Sequence, residues 1–312
     1  MFKVAIVGCG GIGNAHAVNW SKIDDVKVVA CCDLDIERAK KVAANCGAEA
    51  ITDMNQLPKD LDCVSVVTPP GAHYPIVKAM LNKGYNVFSE KPLTLCVDQG
   101  EELDKLAQEK NLQLGVGFKM RFEPIFQAAK EYLPRIGKLV SICTTKEQAF
   151  HTDPAHAWVT KVGAMYELSI HDFDLISFIC GLQPKEVIGA KVNFKRGWEK
   201  EDSFHALVNY GDGVTGLLQG LYCDETTFCF RDLTITFLGE NGYMRVERPD
   251  RIVLHTDKFE VIPVDPASSA PAFQCELTHF KDACLGKCEN TLKACDAVNM
   301  TRLIEEIREK GR

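Results

Sequence analysis

The segment that decides the fold is VAIVGCGGIGNAH, residues 4–16. An apolar, β-branched run leads into a glycine-rich turn, and a helix-forming stretch follows. A G-x-G-x-x-G pattern is weak by itself, but here it closes a strand and opens a helix at the start of a β-α-β unit. Such a turn lets a pyrophosphate approach the backbone amides at a helix N-terminus. The residues predicted to form this dinucleotide-binding turn are Gly8, Gly10, Gly11, Ile12 and Gly13.

A carboxylate ends the next strand-like run, at Asp33, 20 residues after Gly13. At that position a carboxylate accepts hydrogen bonds from the adenosine ribose hydroxyls and repels a 2′-phosphate. Leu34 follows, rather than an arginine or serine that would accept the phosphate. The sequence therefore favours NAD over NADP as the cofactor. We assign Asp35 to the N-cap of the following helix. The alternative is a glycine turn without a ligand, beside an exposed aspartate.

The pattern of strands and helices predicts an α/β fold with two domains. Through the first 118 residues, short apolar runs alternate with amphipathic helical stretches, which is typical of a doubly wound parallel sheet, the Rossmann fold. The strand runs are FKVAIVG, VKVVACC, DCVSVVT, YNVFSE and LQLGVGF. We therefore predict an NAD(P)-binding domain over residues 1–119.

The rhythm changes after residue 119. A helix is predicted over about 165–181 and is followed by strand-like runs with turn signals such as GDG and GENG between them. Two helices, at about 273–287 and 291–310, close the chain. We predict a second α/β domain over residues 120–312, with a large, mostly antiparallel open sheet.

Composition excludes several classes of protein. Acidic residues outnumber basic ones by 43 to 36 and no basic run stands out, which argues against nucleic acid or an anionic membrane as partner. No apolar run is long enough to span a bilayer, and the first residues do not read as a signal peptide. The 14 cysteines contain no C-x-x-C pair. The lack of a membrane span and of a signal peptide predicts a cytoplasmic protein, and in that reducing compartment we expect the cysteines to be free thiols.

Two further strand ends carry candidate ligand contacts, because ligands of open parallel sheets lie beyond the carboxyl ends of the strands. The first is VTPPGAHYP, where two prolines could stiffen a wall beside a flat ring; an ordinary turn with an exposed histidine is the alternative. Its candidate residues are Thr68, Pro69, Pro70 and His73.

The second strand end is SEKP, where Glu90 and Lys91 precede Pro92. A lysine there can donate to a substrate oxygen, although a lone Glu-Lys pair can also be a surface salt bridge.

These residues resemble the glucose–fructose oxidoreductase/inositol dehydrogenase (Gfo/Idh/MocA) family over nearly the whole chain. The matching segments, in order, are GCGGIG, CDLD, VVTPPGAHYP, SEKPLTL, GVGFKMRFEP and YELSIHDFD. The resemblance implies that Lys91 of the specific E-K-P motif is catalytic, that Pro92 follows a cis bond, and that Arg121 lies near the cofactor. It also implies that the domain over residues 120–312 serves substrate binding and oligomerisation. A homodimer or homotetramer is expected, since the open sheets of this family usually pair face to face.

The second half of the predicted site is YELSIHDFD. Glu167 and His171 are four residues apart, so both project from one face of a helix. The resemblance gives His171 the acid/base role, with Glu167 beside it as the third catalytic candidate; an ordinary polar pair on a solvated face is the alternative. Most relatives have aspartate where this chain has Glu167, and the usual glycine cluster upstream is reduced to Gly163.

Two lesser interpretations concern the same region. His171, Asp172 and Asp174 are metal-ligand types, but no third cluster has ligand spacing, and we predict no metal. The side chains of His151, His156 and Trp158 could line the substrate pocket.

Together these features predict an NAD-dependent oxidoreductase acting on a secondary alcohol of a cyclic polyol, sugar or sugar derivative. Lys91 and His171 are predicted to meet over the face of a bound dinucleotide. Two alternatives stay open. One is an enzyme that retains NAD and cleaves a glycosidic bond by oxidation and elimination. The other is a non-catalytic sensor of NAD or sugar, although sensors of this kind tend to lose the lysine or the histidine.

Overall fold

The computed structural model describes residues 1–150, 157–224 and 231–312. They form two compact units. The first consists of Met1–Lys119 and Ala270–Val298, and the second of Met120–Ser269 and Asn299–Arg312. The chain therefore returns to its first unit after most of the second is complete. No described helix combines the length and apolarity needed to cross a bilayer.

The first unit is built on a six-stranded parallel sheet. Its strands are β1 (Phe2–Val7), β2 (Val26–Cys32), β3 (Glu49–Ile51), β4 (Cys63–Val66), β5 (Asn86–Glu90) and β6 (Leu114–Gly117). Its helices are α1 (Gly11–Trp20), α2 (Ile36–Cys46), α3 (His73–Asn82), α4 (Val97–Glu109) and α8 (Ala272–Cys284). The strand order is β3-β2-β1-β4-β5-β6. Successive strands are therefore added on one side of β1 up to β3 and on its other side from β4 onward, while all the strands stay parallel. The predicted doubly wound parallel sheet is confirmed.

Burial explains why the five predicted runs form strands and why α8 joins them. β4 is buried along its whole length, as expected for a strand covered on both faces. On β6, a Cβ at Gly115 would lie only 2.5 Å from the ring of Phe280. The absence of a side chain at Gly115 thus lets α8 press Phe280 against the sheet, where it meets Phe88 edge-on at 5.3 Å.

The second unit is built on an eight-stranded sheet. Its strands are β7 (Leu139–Phe150), β8 (Glu186–Asn193), β9 (Ser203–Gly211), β10 (Val214–Asp224), β11 (Arg231–Gly239), β12 (Gly242–Glu247), β13 (Arg251–His255) and β14 (Phe259–Pro263). Its helices are α5 (Pro124–Tyr132), α6 (Val159–Val162), α7 (Ile170–Cys180) and the part of α9 (Ala294–Lys310) from Asn299 onward. The order is β14-β13-β12-β11-β7-β10-β9-β8.

This sheet is mostly antiparallel, as predicted. The exception is at its centre, where β7 runs parallel to β10 and antiparallel to β11. Every second residue of β9 and β10 points to the buried side, which leaves the opposite face half-exposed.

The helix predicted over about 165–181 is present and is almost entirely buried. It begins with a π-helical turn at Met165–Ser169, continues as α7, and ends at Gly181 in the left-handed conformation. π turns inside helices occur frequently at functional sites.

Two buried ion pairs hold α7 inside its unit. The ammonium of Lys146, on β7, lies 2.9 Å from a carboxylate oxygen of Asp172, and each side chain is only 1% exposed. Arg121 donates from two nitrogens to the two carboxylate oxygens of Asp174, in the planar geometry that favours arginine. Because an unpaired charge is costly at such depth, these pairs fix the rotation of α7.

We expect Lys146→Met to lower the free energy of unfolding by about 3–5 kcal/mol, because Asp172 would keep its buried charge without the Lys146 ammonium. The double variant Lys146→Met/Asp172→Leu removes both charges and should recover most of that loss. Urea unfolding followed by circular dichroism measures the difference. Equal stabilities of the wild type and the single variant would show that the pair does not fix α7.

Candidate active site

The glycine turn has the geometry of a ligand-binding loop. Gly8 has φ +102°, a conformation that side chains rarely adopt, and a Cβ there would lie 2.6 Å from the carbonyl oxygen of Val67. A Cβ at Gly13 would collide with the carbonyl oxygen of Gly8. By contrast, a Cβ at Gly10 or Gly11 would meet no described atom within 4 Å beyond its own helix and chain neighbours. Two of the glycines thus serve packing, and the other two leave open space at the start of α1.

Asp33 lies at the end of β2 and ties the glycine turn to the next loop. One of its oxygens accepts a hydrogen bond from the amide of Cys9 at 2.7 Å, and the other accepts from the amide of Asp35 at 2.9 Å. The Asp35 carboxylate in turn caps α2, which confirms the N-cap prediction. Leu34 is 96% exposed between them. The carboxylate of Asp33 is therefore held beside the turn, and its contact with a ribose stays a prediction.

Of the four candidate residues of VTPPGAHYP, three lie in the loop after β4 and the fourth, His73, is the first residue of α3. Pro69 is exposed, whereas Pro70 is buried. His73 is only 1% exposed, so the interpretation that places it on the surface is wrong. Its ring nitrogens lie 2.7 Å from the carbonyl oxygens of Thr68 and Pro92. Burial lowers the pKa of His73, so the neutral ring, which donates from one nitrogen only, is favoured. Its role is to join this loop to the E-K-P loop.

The E-K-P segment begins at the last residue of β5. The Lys91–Pro92 peptide bond is cis, as the resemblance implied. Glu90 directs one carboxylate oxygen to a ring nitrogen of His16 at 3.0 Å, and the other accepts a hydrogen bond from the Lys91 amide at 3.1 Å. Burial alone would raise the pKa of Glu90, but its contact with His16 and the charges of Lys91 and Lys119 lower it on balance. Glu90 therefore anchors the backbone of Lys91, whose side chain is partly exposed.

His16 is a residue that sequence reasoning missed. It lies on α1, three residues after Gly13, and is fully buried. Its second ring nitrogen lies 2.9 Å from the Ser65 hydroxyl, which also accepts a longer hydrogen bond, 3.4 Å, from the Trp20 indole. The available signal was a histidine in an otherwise apolar stretch of a helix that packs on a buried sheet. A hydrogen-bonded chain thus leads from the core of the first unit to the E-K-P backbone.

In the second unit, Glu167 lies in the π turn and His171 in the first turn of α7. Glu167 is partly exposed and His171 is 7% exposed. Upstream, Gly163 has φ +89°, and a Cβ there would collide with the carboxylate of Glu201, which is paired with Arg308. This single glycine therefore seats the start of the helical segment on a buried ion pair.

Two other predicted residues of this unit, Arg121 and Trp158, have contacts that stabilise the fold. Arg121 is buried with its guanidinium on Asp174, and its predicted proximity to the cofactor stays a prediction. Trp158 packs with Phe150 and Trp198 against a small apolar cluster that includes Leu168. His151 and His156 lie outside the described residues.

Comparison with known proteins identifies both parts of the chain. A family model described as the Gfo/Idh/MocA oxidoreductase family, NAD-binding Rossmann fold, matches residues 2–118. The model of the Gfo/Idh/MocA C-terminal domain matches residues 126–245. The first unit therefore carries an NAD-binding Rossmann fold.

Individual relatives are distant. The inositol 2-dehydrogenase of Rhizobium meliloti (strain 1021) is 29% identical over 189 residues, which are 59% of this chain and 57% of that protein. The scyllo-inositol 2-dehydrogenase (NAD(+)) of Bacillus subtilis (strain 168) is 25% identical over 296 residues, or 90% of this chain and 85% of that protein. The match thus spans less than two thirds of the length of the first relative.

Among solved structures, the UDP-N-acetylglucosamine 3-dehydrogenase of Acidithiobacillus ferrooxidans has a TM-score of 0.87 at 20% identity, covering 99% of this chain and 97% of that one. At this identity the likeness shows the fold.

We expect Gly10→Ala to weaken NADH binding by about tenfold or more while stability stays close to that of the wild type. The added methyl group has free space in the protein and would occupy the position predicted for the pyrophosphate. Gly13→Ala should instead destabilise the fold, by about 1–3 kcal/mol, because it forces α1 away from β1. Fluorescence titration with NADH and thermal unfolding separate the two effects. Gly189→Ala, on β8 and also with free space, is the control. An unchanged affinity of Gly10→Ala would place the cofactor elsewhere.

Proposed function

We propose that this chain, which belongs to the Gfo/Idh/MocA oxidoreductase family, is an NAD-dependent dehydrogenase or reductase. It transfers a hydride between the nicotinamide and a secondary alcohol or ketone of a cyclic polyol, sugar or sugar derivative. The observation that carries the proposal is the anchored lysine: Glu90 and a buried histidine hold the backbone of Lys91 at the carboxyl end of a parallel strand. Ligands of such sheets lie beyond that edge.

The surroundings of the glycine turn fit NAD. The space at Gly10 and Gly11 allows a pyrophosphate to approach the first amides of α1, and Asp33 is fixed beside it as an acceptor for ribose hydroxyls. Between Asp33 and Asp35 the chain offers only the exposed side chain of Leu34. A 2′-phosphate would meet carboxylates there, which supports NAD over NADP.

In the proposed reaction NAD supplies the hydride acceptor or donor, and the chain's own groups handle the substrate oxygen. His171 takes the hydroxyl proton in oxidation and returns it in reduction. Lys91 donates a hydrogen bond to the same oxygen and stabilises its alkoxide character. Glu167 binds a neighbouring hydroxyl or orients the imidazole. Relatives named as inositol dehydrogenases make cyclic polyols the first substrates to test.

We expect Lys91→Ala to lower kcat by about a hundredfold to ten-thousandfold, because the developing negative charge on the substrate oxygen loses its donor. NADH affinity should change by less than about twofold. A panel of polyols and keto-sugars with NAD or NADH, followed by NADH absorbance, identifies the substrate on which turnover is measured. Lys22→Ala, an exposed lysine of the same unit, is the control.

Three outcomes would count against this function. Normal turnover of Lys91→Ala would remove the role given to the lysine. Substrate cleavage without net NADH formation would indicate the NAD-retaining elimination mechanism. Tight binding of NAD or sugar with no turnover of any substrate would indicate a sensor.

We also propose that the chain forms a homodimer or homotetramer through the open face of its eight-stranded sheet. On this face, four apolar side chains are between 38% and 52% exposed: Leu207, Leu217, Leu238 and Val261. Leu207 and Leu217 lie opposite each other on β9 and β10, so their side chains form one patch.

The cysteines among the described residues are free thiols, which suits the reducing cytoplasm.

We expect Leu217→Glu to shift the protein toward monomers in sedimentation velocity at micromolar concentration, because a charge replaces apolar surface at the contact. Leu285→Glu changes a leucine of equal exposure outside the sheet and should leave the assembly unaltered. A wild-type monomer of about 35 kDa would contradict the proposal.

A further inference from the structure

Three ionisable side chains from distant parts of the sequence meet inside the first unit. They are His16 on α1, Glu90 at the end of β5 and Glu276 on α8, and their ligand-type atoms lie within 4.8 Å of one another. Glu276 is 0% exposed. Neither of its carboxylate oxygens has a hydrogen-bond partner among the described residues.

The other two members of this cluster are satisfied without Glu276. A consistent assignment has the Trp20 indole donating to the Ser65 oxygen, the Ser65 hydroxyl donating to His16, and the opposite N–H of His16 donating to Glu90. The second oxygen of Glu90 accepts from the Lys91 amide. In this assignment Glu90 uses both oxygens as acceptors, as an ionised carboxylate does.

Glu276 is in the opposite situation. Burial raises the pKa of Glu276 well above its ordinary value, and the charge of Glu90 adds to the shift, while Lys119 opposes it. The pKa of Glu90 is lowered on balance. Two neighbouring carboxyl groups whose pKa values are pushed apart in this way divide into one acid and one carboxylate.

We propose that Glu276 is a neutral carboxylic acid that donates a hydrogen bond to Glu90, directly or through one water molecule, and thereby acts as a positioning residue for Lys91. Two groups bound to one water at a tetrahedral angle are about 4.6 Å apart, which is close to the span of this cluster. The donated hydrogen bond holds the Glu90 carboxylate in the orientation in which it accepts from the Lys91 amide. The role in turnover rests on the proposed function, whereas the protonation of Glu276 does not.

A divalent cation is the rival occupant, since histidine and two glutamates are common metal ligands. The charges around the cluster argue against it. The positive charges of Lys91 and Lys119 both lower the pKa of Glu90, and the charge of Lys119 also lowers that of Glu276. The Lys119 ammonium lies 4.0 Å from the centre of the Phe273 ring, and that ring packs edge-on against His16. The ammonium groups of Lys91 and Lys119 would repel a dication. A single proton on Glu276 only neutralises that carboxylate, so it adds much less positive charge to the cluster.

The protonation is tested directly by infrared difference spectroscopy at neutral pH. The carbonyl band of a protonated, buried carboxyl group should be present in the wild type and lost in Glu276→Gln. It should persist in Glu289→Gln, which changes an exposed, ion-paired glutamate of the same unit. A wild-type spectrum with no such band assignable to Glu276 overturns the proposal. So does stoichiometric binding of Mn²⁺ to EDTA-treated protein if Glu276→Gln abolishes it.

The positioning role is tested by kinetics on the substrate found in the panel. Glu276→Gln keeps a neutral group that can donate to Glu90, and kcat should stay within about threefold of the wild type. Glu276→Leu removes the donor and should lower kcat by about tenfold to a hundredfold with little change in NADH affinity, as expected for a misplaced catalytic group. In the Lys91→Ala background, Glu276→Leu should have almost no further effect.

Independent, additive losses in the double variant would overturn the positioning role. Should Glu276→Leu fail to fold, the Gln variant and the infrared band still decide the proposal. Absence of any dehydrogenase activity in the wild type would refute the proposed function instead, and it would leave the spectroscopic result intact.

Discussion

The close contact between α1 and the end of β1 is the constraint on which the first unit depends. Gly13 lies against the carbonyl oxygen of Gly8, so the helix starts immediately at the sheet. That distance sets where the next turn of α1 arrives, and His16 consequently reaches both Ser65 on β4 and Glu90 on β5. A short glycine pattern thus fixes a hydrogen-bonded chain from α1 to two strands, β4 and β5, and the backbone of Lys91 is the last group in it.

The second unit fixes its histidine by a different means. α7 is buried on nearly all sides, so packing alone would leave its rotation weakly defined. Two carboxylates, at Asp172 and Asp174, break that uniformity, because each has to meet its cation. Lys146 comes from the central strand of the sheet and Arg121 from the segment that opens the unit. The neighbouring His171 takes its orientation from these pairs.

Much of this could be predicted from the sequence, where the signals are local. The glycine turn, the cap at Asp35, the parallel sheet and the buried helix all follow from short patterns. β7 was missed because Thr144 and Lys146 stand on its buried side and hide the alternation of apolar residues. Glu276 was missed for another reason: its surroundings come from α1, β5 and α8, which are far apart in the chain. The surface position considered for His73 fails because its carbonyl partners, too, are set by the fold.

The late return of α8 has a consequence for biosynthesis. Gly115 and Phe88 present an apolar surface that Phe280 covers, yet about 160 residues of chain separate β6 from that ring. During translation the parallel sheet is complete long before its cover leaves the ribosome. The nascent protein therefore exposes this apolar surface throughout synthesis of its second half. A fragment that ends at residue 119 would lack Phe280 and would keep the surface exposed. The time between completion of β6 and the arrival of α8 is therefore the stage of synthesis at which this chain is most open to aggregation.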